Sequence, residues 1–315
     1  MTTAPHLARD RRLGFLAGAA AYGLWGLFPI YFKALASVRP LEVLAHRIVW
    51  AAAILLGLVW WQGLGRDLRA ALRSRRSLGV LLCSTAAIAL NWFVYISAVI
   101  SGHVLETSLG YFMTPLVSVL LGVVVLRERL ARPVLLAAGL AVVGVSCMTV
   151  QAGRVPAIAL VLAFSFGSYG LLRKVVPVGV VVGLAIETLL LLPFAAGYLA
   201  WSRSAGTLAF LSGAWTRDAL LLVSGPLTAG PLLLFGGAVR RLPLSTVGFL
   251  QYISPTIQFL LAILLYREAF SSAVALAFGF IWAGLAVFAV HSIRDARSRG
   301  AGDRPAPDAS VQEPA

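Results

Sequence analysis

The sequence predicts an all-α integral membrane protein in which ten transmembrane helices form two inverted five-helix repeats. Of its 315 residues, 60% are hydrophobic and only 12% are charged, whereas soluble domains carry about 25% charged residues. Ten apolar stretches approach the roughly 20 residues that a helix needs to cross a bilayer. In addition, a motif around Pro115 recurs around Pro255, 140 positions later. These three observations favour a polytopic membrane protein with internal symmetry.

Hydrophobicity and length place the ten segments along the chain. The eighth is the least regular, because it contains Pro226 and Pro231, and a turn of two arginines, a leucine and a proline follows it. In order, the segments are Leu13–Phe32, Leu41–Trp61, Leu78–Ile100, Leu105–Leu126, Pro133–Val150, Val155–Leu172, Val178–Trp201, Ala219–Val239, Leu244–Tyr266 and Ser271–His291.

The first segment has some features of a secretory signal peptide, since it follows a cluster of arginines and ends near small residues. Its apolar run is longer than a signal sequence requires, and Lys33 follows it directly. Nine further segments come after it. We therefore expect Leu13–Phe32 to be a retained transmembrane helix.

The positive charges predict the orientation, because cytoplasmic loops are enriched in Lys and Arg. With the N-terminus inside, most of the 26 Lys and Arg residues lie on the cytoplasmic side, including groups at residues 9–12, 66–76, 127–132 and 294–304. Both termini are therefore predicted to be cytoplasmic.

The domain boundaries follow from the segments. Residues 1–12 are a cytoplasmic N-terminus, residues 13–150 the first five-helix repeat and residues 151–292 the second. Residues 293–315 are rich in Arg, Gly, Ala, Pro and Asp and have no apolar periodicity. Such a segment buries too little apolar surface to order itself, so a disordered cytoplasmic tail is predicted there.

The internal repeat relates two apolar helices that share a proline. Leu109 to Pro115 precedes an apolar run ending in Arg127-Glu128, and Phe249 to Pro255 precedes one ending in Arg267-Glu268. Because each repeat has five segments, an odd number, the second must enter the membrane from the opposite side. Inverted repeats of this kind place a binding site near the midplane and alternate its access by rocking.

Several motifs resemble the RarD-type proteins of the EamA family, in the drug/metabolite transporter superfamily, over residues 13–292. The resemblance implies ten helices, a bacterial inner-membrane location and secondary transport, often export. It does not imply a particular substrate. The motifs are Leu41 to Arg47, Asn91-Trp92, Leu105 to Phe112, Ser165 to Leu171, Ile186-Glu187-Thr188 and Leu244 to Tyr252.

Ionisable residues in the outer part of segment two are candidates for the site, because a charge in the membrane interior is costly. Glu42 and His46 are one turn apart and share a face, whereas Arg47 faces another direction. Arg47 needs a partner from another helix, and Glu106 has a similar depth. We therefore predict an Arg47–Glu106 pair, either part of a cargo cavity or a fixed link between helices. His46 is expected to be a helix contact rather than a proton relay.

Further candidates lie in the second repeat and around the prolines. Glu187 has no adjacent basic residue and corresponds roughly to Glu42; a buried carboxyl tends to stay protonated, so Glu187 is either a proton-coupling group or a neutral hydrogen-bonding residue. Pro115 and Pro255 are candidate helix breaks near mid-membrane, or simple kinks. A cavity there would be lined by Asn91, Trp92 and Tyr111 on one side and by Gln251 and Tyr252 on the other.

Other function classes find less support in the sequence. The basic residues lie between apolar stretches rather than in a DNA-binding motif, and Cys83 and Cys147 form no metal-ligand spacing. No predicted span contains Asp, and no zinc-protease motif occurs, so an enzyme is not expected. No cofactor is predicted, and the expected partners are a small-molecule substrate, the lipid bilayer and a coupling proton. A regulatory or scaffolding membrane protein remains the alternative, and the oligomeric state stays open.

Overall fold

The computed structural model describes residues 4–126, 132–152, 155–242 and 250–302, and this part of the chain is all-helical. Each predicted segment corresponds to a helix, and one additional short helix is present. The helices are α1 (Ala4–Ala34), α2 (Pro40–Trp61), α3 (Gly65–Arg73), α4 (Arg75–Ile100), α5 (Val104–Leu126), α6 (Arg132–Ala152), α7 (Ala157–Val175), α8 (Val180–Ser204), α9 (Trp215–Arg241), α10 (Ile253–Leu260, extended by the π-helical turn Leu261–Leu265) and α11 (Ser272–Gly302).

Among the described residues, five helices are long and apolar enough to cross a membrane: α1, α2, α4, α8 and α9. Shorter apolar stretches occur in α6, α7, α10 and α11. Large apolar side chains such as Trp60, Phe194 and Leu264 are exposed on the outside of the bundle. Exposed apolar surface of this extent is suited to a lipid environment rather than to water.

The additional helix is α3, which the sequence analysis treated as a charged loop. It is too short to span a bilayer, but its apolar residues recur at helical spacing. Leu68 and Ala71 pack against apolar side chains of α2, α4 and α8. The Ser74 side chain then accepts a hydrogen bond from Ser77 N and caps the start of α4.

Both ends of the chain are more helical than predicted. Helix α1 begins at Ala4, within the predicted N-terminal segment, and α11 continues to Gly302, past the predicted start of the disordered tail. The additional residues of α11 include Ala and Arg, which favour helix continuation. The remainder of the predicted tail lies outside the described residues, as does the start of the ninth segment.

The main helix contacts have matching counterparts in the two parts of the chain. If α1, α2, α4, α5 and α6 correspond in order to α7–α11, the α5–α7 contact matches α1–α10, and α1–α9 matches α4–α7. The α2–α8 and α6–α11 contacts each match themselves. This is the pattern expected for two halves related by a two-fold axis.

A glycine permits close approach of the helices at the α5–α7 contact and at its counterpart, the α1–α10 contact. A Cβ on Gly110 of α5 would lie 2.8 Å from Ala159 O of α7. The residue 140 positions after Gly110 is Leu250, just before α10. At this contact the small residue is on the partner helix: a Cβ on Gly18 of α1 would lie 2.7 Å from Leu250 Cδ1. Small residues at such crossings allow transmembrane helices to pack closely.

Contacts between loops define one end of the bundle. Lys33 Nζ, at the end of α1, lies 5.3 Å from the centre of the Tyr266 ring and beside Gly102. These contacts bring together the α1–α2 loop, the α4–α5 loop and the chain after α10. We call this the capped end, which comprises loops 35–39, 101–103, 205–214 and 266–271 and the first turns of α2, α5 and α7.

Candidate functional site

Arg47 lies in a box of aromatic side chains inside the bundle. It is only 5% exposed, and its Nε donates a hydrogen bond of 2.8 Å to Thr228 Oγ1 on α9. The guanidinium carbon lies 4.4 Å from the Trp92 ring centre on α4, and 5.6 and 6.0 Å from Phe28 and Phe32 on α1. Cation–π attraction stabilises a charge in such surroundings. We call these five residues the arginine box.

The local sequence positions Arg47 in this box. Helix α2 begins with Pro40 in its first turn, where a proline needs no hydrogen-bonded N–H. The following residues, from Glu42 to Ile48, are all buried. Since α2 packs against both α8 and α9, its first turns are enclosed on more than one side, and Arg47 is only 5% exposed.

A polar wall formed by α4 and α5 lies next to the box. Tyr111 Oη donates to Asn91 Oδ1 at 3.1 Å, and Asn91 Nδ2 donates to Leu162 O and Ser165 Oγ on α7. The Tyr95 ring lies 5.5 Å from the Tyr111 ring. Tyr95 is 4% exposed, and its hydroxyl has no hydrogen-bond partner among the described residues. The structure therefore brings the predicted residues Asn91 and Tyr111 to the neighbourhood of Arg47.

The predicted Arg47–Glu106 pair is wrong, because each side chain has a different partner. Glu106 is in the first turn of α5, and its Oε1 accepts a hydrogen bond of 3.1 Å from Ile158 N in the first turn of α7. Free N–H groups and the helix dipole make a helix start attractive to a carboxylate. Glu106 therefore ties two helix starts together at the capped end.

Two more carboxylates accept hydrogen bonds from backbone N–H groups at the capped end. Glu42 Oε1 accepts hydrogen bonds from Ala209 N and Phe210 N, at 2.8 and 3.1 Å. Glu268 accepts from the backbone N–H groups of the first two residues of α5, both at 2.8 Å. The π-helical turn and the positive φ of Arg267, 51°, turn the chain so that Glu268 reaches α5.

His46 contacts its own helix and the loop that follows α8. Its Nδ1 accepts a hydrogen bond of 3.2 Å from Trp50 Nε1, and its ring lies 4.6 Å from the Phe210 ring. Glu42 binds the backbone of the same loop, which confirms that Glu42 and His46 share a face of α2. The Nε2 atom of His46 is buried with no hydrogen-bond partner among the described residues.

Glu187 is completely buried on α8 in a second polar cluster. It accepts hydrogen bonds from Ser84 Oγ at 2.6 Å and Tyr169 Oη at 3.2 Å. Arg173 Nη1 lies 3.9 Å from its Oε1, so the expectation that Glu187 has no basic neighbour is wrong. Arg173 is one turn after Tyr169 on α7, and Gly183 leaves room for its side chain.

Gln251 and Tyr252 are not brought into contact with Arg47. Tyr252 stacks on Phe112 with ring centres 6.4 Å apart and lines an apolar groove of about 330 Å³ with residues of α10 and α11. Gln251 is half-buried beside it. A second groove, of about 280 Å³, lies at the capped end between Glu106 and Glu268. Neither groove is lined by Arg47.

Of the two candidate helix breaks, the one at Pro255 coincides with a helix boundary and the one at position 115 does not: residue 250 is helical, residues 251–252 form a turn, and α10 begins at Ile253. Helix α5 continues through position 115. Pro255 is in the first turn of α10, where its missing N–H has no cost. Ser108 Oγ on α5 donates to Pro255 O at 2.8 Å, which links the two halves at this point.

The sequence analysis missed Thr228, Tyr95, Phe28 and Phe32, because their contact with Arg47 depends on how distant helices rotate against each other. It also took Glu42 as the residue equivalent to Glu187 in the first repeat, which is wrong. At the 140-residue interval of the repeat, Glu187 corresponds to Arg47, and each is the eighth residue of its helix. The interval itself was the signal that could have identified this relation.

A bundle of apolar helices with matched halves and enclosed ionisable groups is the architecture of a multi-pass membrane transporter. Residues 12–150 match the EamA-like transporter family. An uncharacterized transporter of Vibrio cholerae is 43% identical over 91% of this chain and 95% of its own length. Protein RarD of Escherichia coli is 40% identical over 91% of this chain and 97% of its own. The chain belongs to the EamA-like transporter family, which confirms the predicted resemblance and the non-enzymatic class.

A solved structure shares the fold. It superposes on 89% of this chain and 98% of its own, with a TM-score of 0.56 and 20% sequence identity. At this identity the likeness concerns the fold alone. The protein is thus a multi-pass membrane protein with bacterial relatives.

Proposed function

We propose that the protein is a secondary transporter that exports small organic metabolites or drugs across the bacterial inner membrane by alternating access. The observation that carries this proposal is the arginine box. A cation enclosed among apolar helices is costly to maintain, and Arg47 has no carboxylate partner among the described residues. Such groups typically lie on substrate or ion pathways in membrane proteins.

The matched helix contacts support a mechanism in which two halves rock against each other. In this proposal, residues 13–150 and 151–292 are inverted five-helix repeats with ten spans in total. The positive-inside rule assigns both termini to the cytoplasm and the capped end to the outside. The carboxylates of Glu42, Glu106 and Glu268 then act as an outer latch, which must release for cargo to leave.

Glu187 is the proposed coupling group. Its cluster contains two hydroxyl donors and the cation Arg173, so protonation of the carboxyl would weaken its attraction to Arg173. Because Arg173 is on α7 and Glu187 on α8, the change alters a contact between neighbouring helices. A proton entering at Glu187 can thereby bias the position of the second half.

Untargeted metabolite profiling of medium and cell extract tests this function. The host expresses wild type, Arg47→Ala or Glu187→Gln at matched membrane levels. We expect a metabolite that leaves the cell only with wild type, which would also identify the cargo class. An unchanged profile across well-expressed strains would contradict export and would favour a regulatory or scaffolding role.

A further inference from the structure

We propose that the arginine box binds organic carboxylates that carry an aromatic ring. The proposal deepens the transport function and rests on it. Arg47 forms no salt bridge within the described part of the chain. The carboxylates of Glu42 and Glu106 accept backbone hydrogen bonds at the capped end, and that of Glu187 is held by Ser84 and Tyr169. A buried charge is stable only when paired or well solvated by polar groups, so an anionic cargo would complete the site.

The geometry of the guanidinium favours a carboxylate. Thr228 binds only Nε, and no hydrogen bond to either Nη atom is formed among the described residues. A guanidinium held at one edge presents its remaining N–H groups in a fixed plane, which matches the two oxygens of a carboxylate. Thr228 therefore orients Arg47 without neutralising it.

Tyr95 supplies an independent indication of a ligand. Within residues 4–126, 132–152, 155–242 and 250–302, its buried hydroxyl has no hydrogen-bond partner, although such groups are rarely left unsatisfied. The Tyr95 ring also packs against Phe32, a member of the arginine box, with ring centres 5.8 Å apart. A bound carboxylate would accept the missing hydrogen bond, which would satisfy the cation and the hydroxyl at once.

The surrounding rings favour an aromatic body on the ligand. The Phe32 ring lies 5.8 Å from that of Tyr95, and the Phe166 ring lies 6.1 Å from that of Tyr111. Edge-to-face contacts with flat rings are favourable at these separations. In the described conformation Trp92 covers the guanidinium, and we infer that rocking of the halves moves it aside for the cargo.

Binding of three probes of similar size to the full-length protein in lipid nanodiscs tests the proposal. The probes are benzoate, benzamide and benzylamine, and calorimetry gives the affinities. Benzoate is expected to bind at least about tenfold more tightly than the neutral and cationic probes, as one charge-assisted pair predicts. Arg47→Gln should abolish this preference, and Tyr95→Phe should weaken benzoate binding about three- to tenfold. Arg203→Gln, an exposed position at the end of α8, is the matched control.

The results separate the substrate class from transport itself. Equal binding of benzoate and benzamide by folded wild-type protein, or no benzoate binding, would overturn the proposed class. An unchanged preference in Arg47→Gln would overturn the role of the box. If profiling also finds an exported cargo without a carboxylate, transport stands and the substrate class is wrong. Conversely, benzoate preference at Arg47 without any export would support the site and contradict the transport function.

Discussion

Arg47 and Glu187 are each the eighth residue of their helices, α2 and α8, which pack against each other, yet they carry opposite charges in different surroundings. Arg47 is enclosed by aromatic rings and has one neutral hydrogen-bond partner, Thr228. Glu187 accepts two hydroxyl hydrogen bonds and lies 3.9 Å from the cation of Arg173. The first position leaves its charge without a counter-charge, whereas the second already contains one.

This difference indicates a division of labour between the halves. A cation without a counter-charge is suited to binding an anion that arrives and leaves. A carboxylate whose partners are fixed within the protein is suited to switching by a proton, because each protonation state has a different set of attractions. Divergence at one symmetric position would thus give one half the cargo site and the other the coupling site.

The largest effect is expected from Arg47→Gln, which removes the unpaired charge. We expect export of the cargo to fall about 10- to 100-fold, because a charge-assisted hydrogen bond contributes about 1.5–3 kcal/mol. Efflux from loaded cells measures this rate at matched membrane levels. Arg203→Gln should export like wild type. Equal loss in both variants would mean that the effect is not specific to the buried charge.

Glu187→Gln tests the other member of the pair. The amide keeps the size of the side chain and can still accept from Ser84, but it cannot take up a proton. Cargo binding should therefore persist while the response of transport to an imposed pH gradient disappears. Transport in proteoliposomes at several gradients measures this, with Asp67→Asn on the exposed α3 as control. A variant that still responds like wild type would rule out coupling at Glu187.

Gly110→Ala tests the close contact between α5 and α7. Its new Cβ would meet Ala159 O at 2.8 Å, so overpacking should cost about 1–3 kcal/mol and lower the melting temperature in detergent. Gly170→Ala on α7 is the control, because a Cβ there meets nothing within 4 Å. Equal melting temperatures of the two variants would show that the contact between α5 and α7 tolerates additional volume.

The smallest effect concerns the proposed outer latch. Glu268→Ala removes the cap from the first N–H groups of α5, and helix caps contribute about 0.5–2 kcal/mol. Amide hydrogen exchange at Val104 and Leu105 should become about 2- to 30-fold faster. Exchange at Ala209 and Phe210, which depends on Glu42, should change little. Uniform acceleration at both places would indicate a general loss of stability instead.

Long-range contacts mark the limit of what the sequence could predict. Hydrophobic length predicted a helix in each of the ten segments, and the one-turn spacing of Glu42 and His46 predicted their shared face correctly. The α3 helix was missed because its sequence is rich in charged residues and contains only a few apolar residues at helical spacing. The predicted Arg47–Glu106 pair was wrong because a similar depth in the membrane does not determine how the helices are rotated. The free N–H groups at the start of α7 lie nearer to the Glu106 carboxylate. Thr228 could not be foreseen, since only the packing of α9 on α2 brings its hydroxyl to Arg47.

The division of labour between the halves is tested most directly by measuring binding and proton-driven transport of the same cargo in Arg47→Gln and Glu187→Gln. The account predicts that Arg47→Gln loses both, whereas Glu187→Gln keeps binding and loses only the response to the proton gradient. Loss of the same property in both variants, or retained binding in Arg47→Gln, would contradict it.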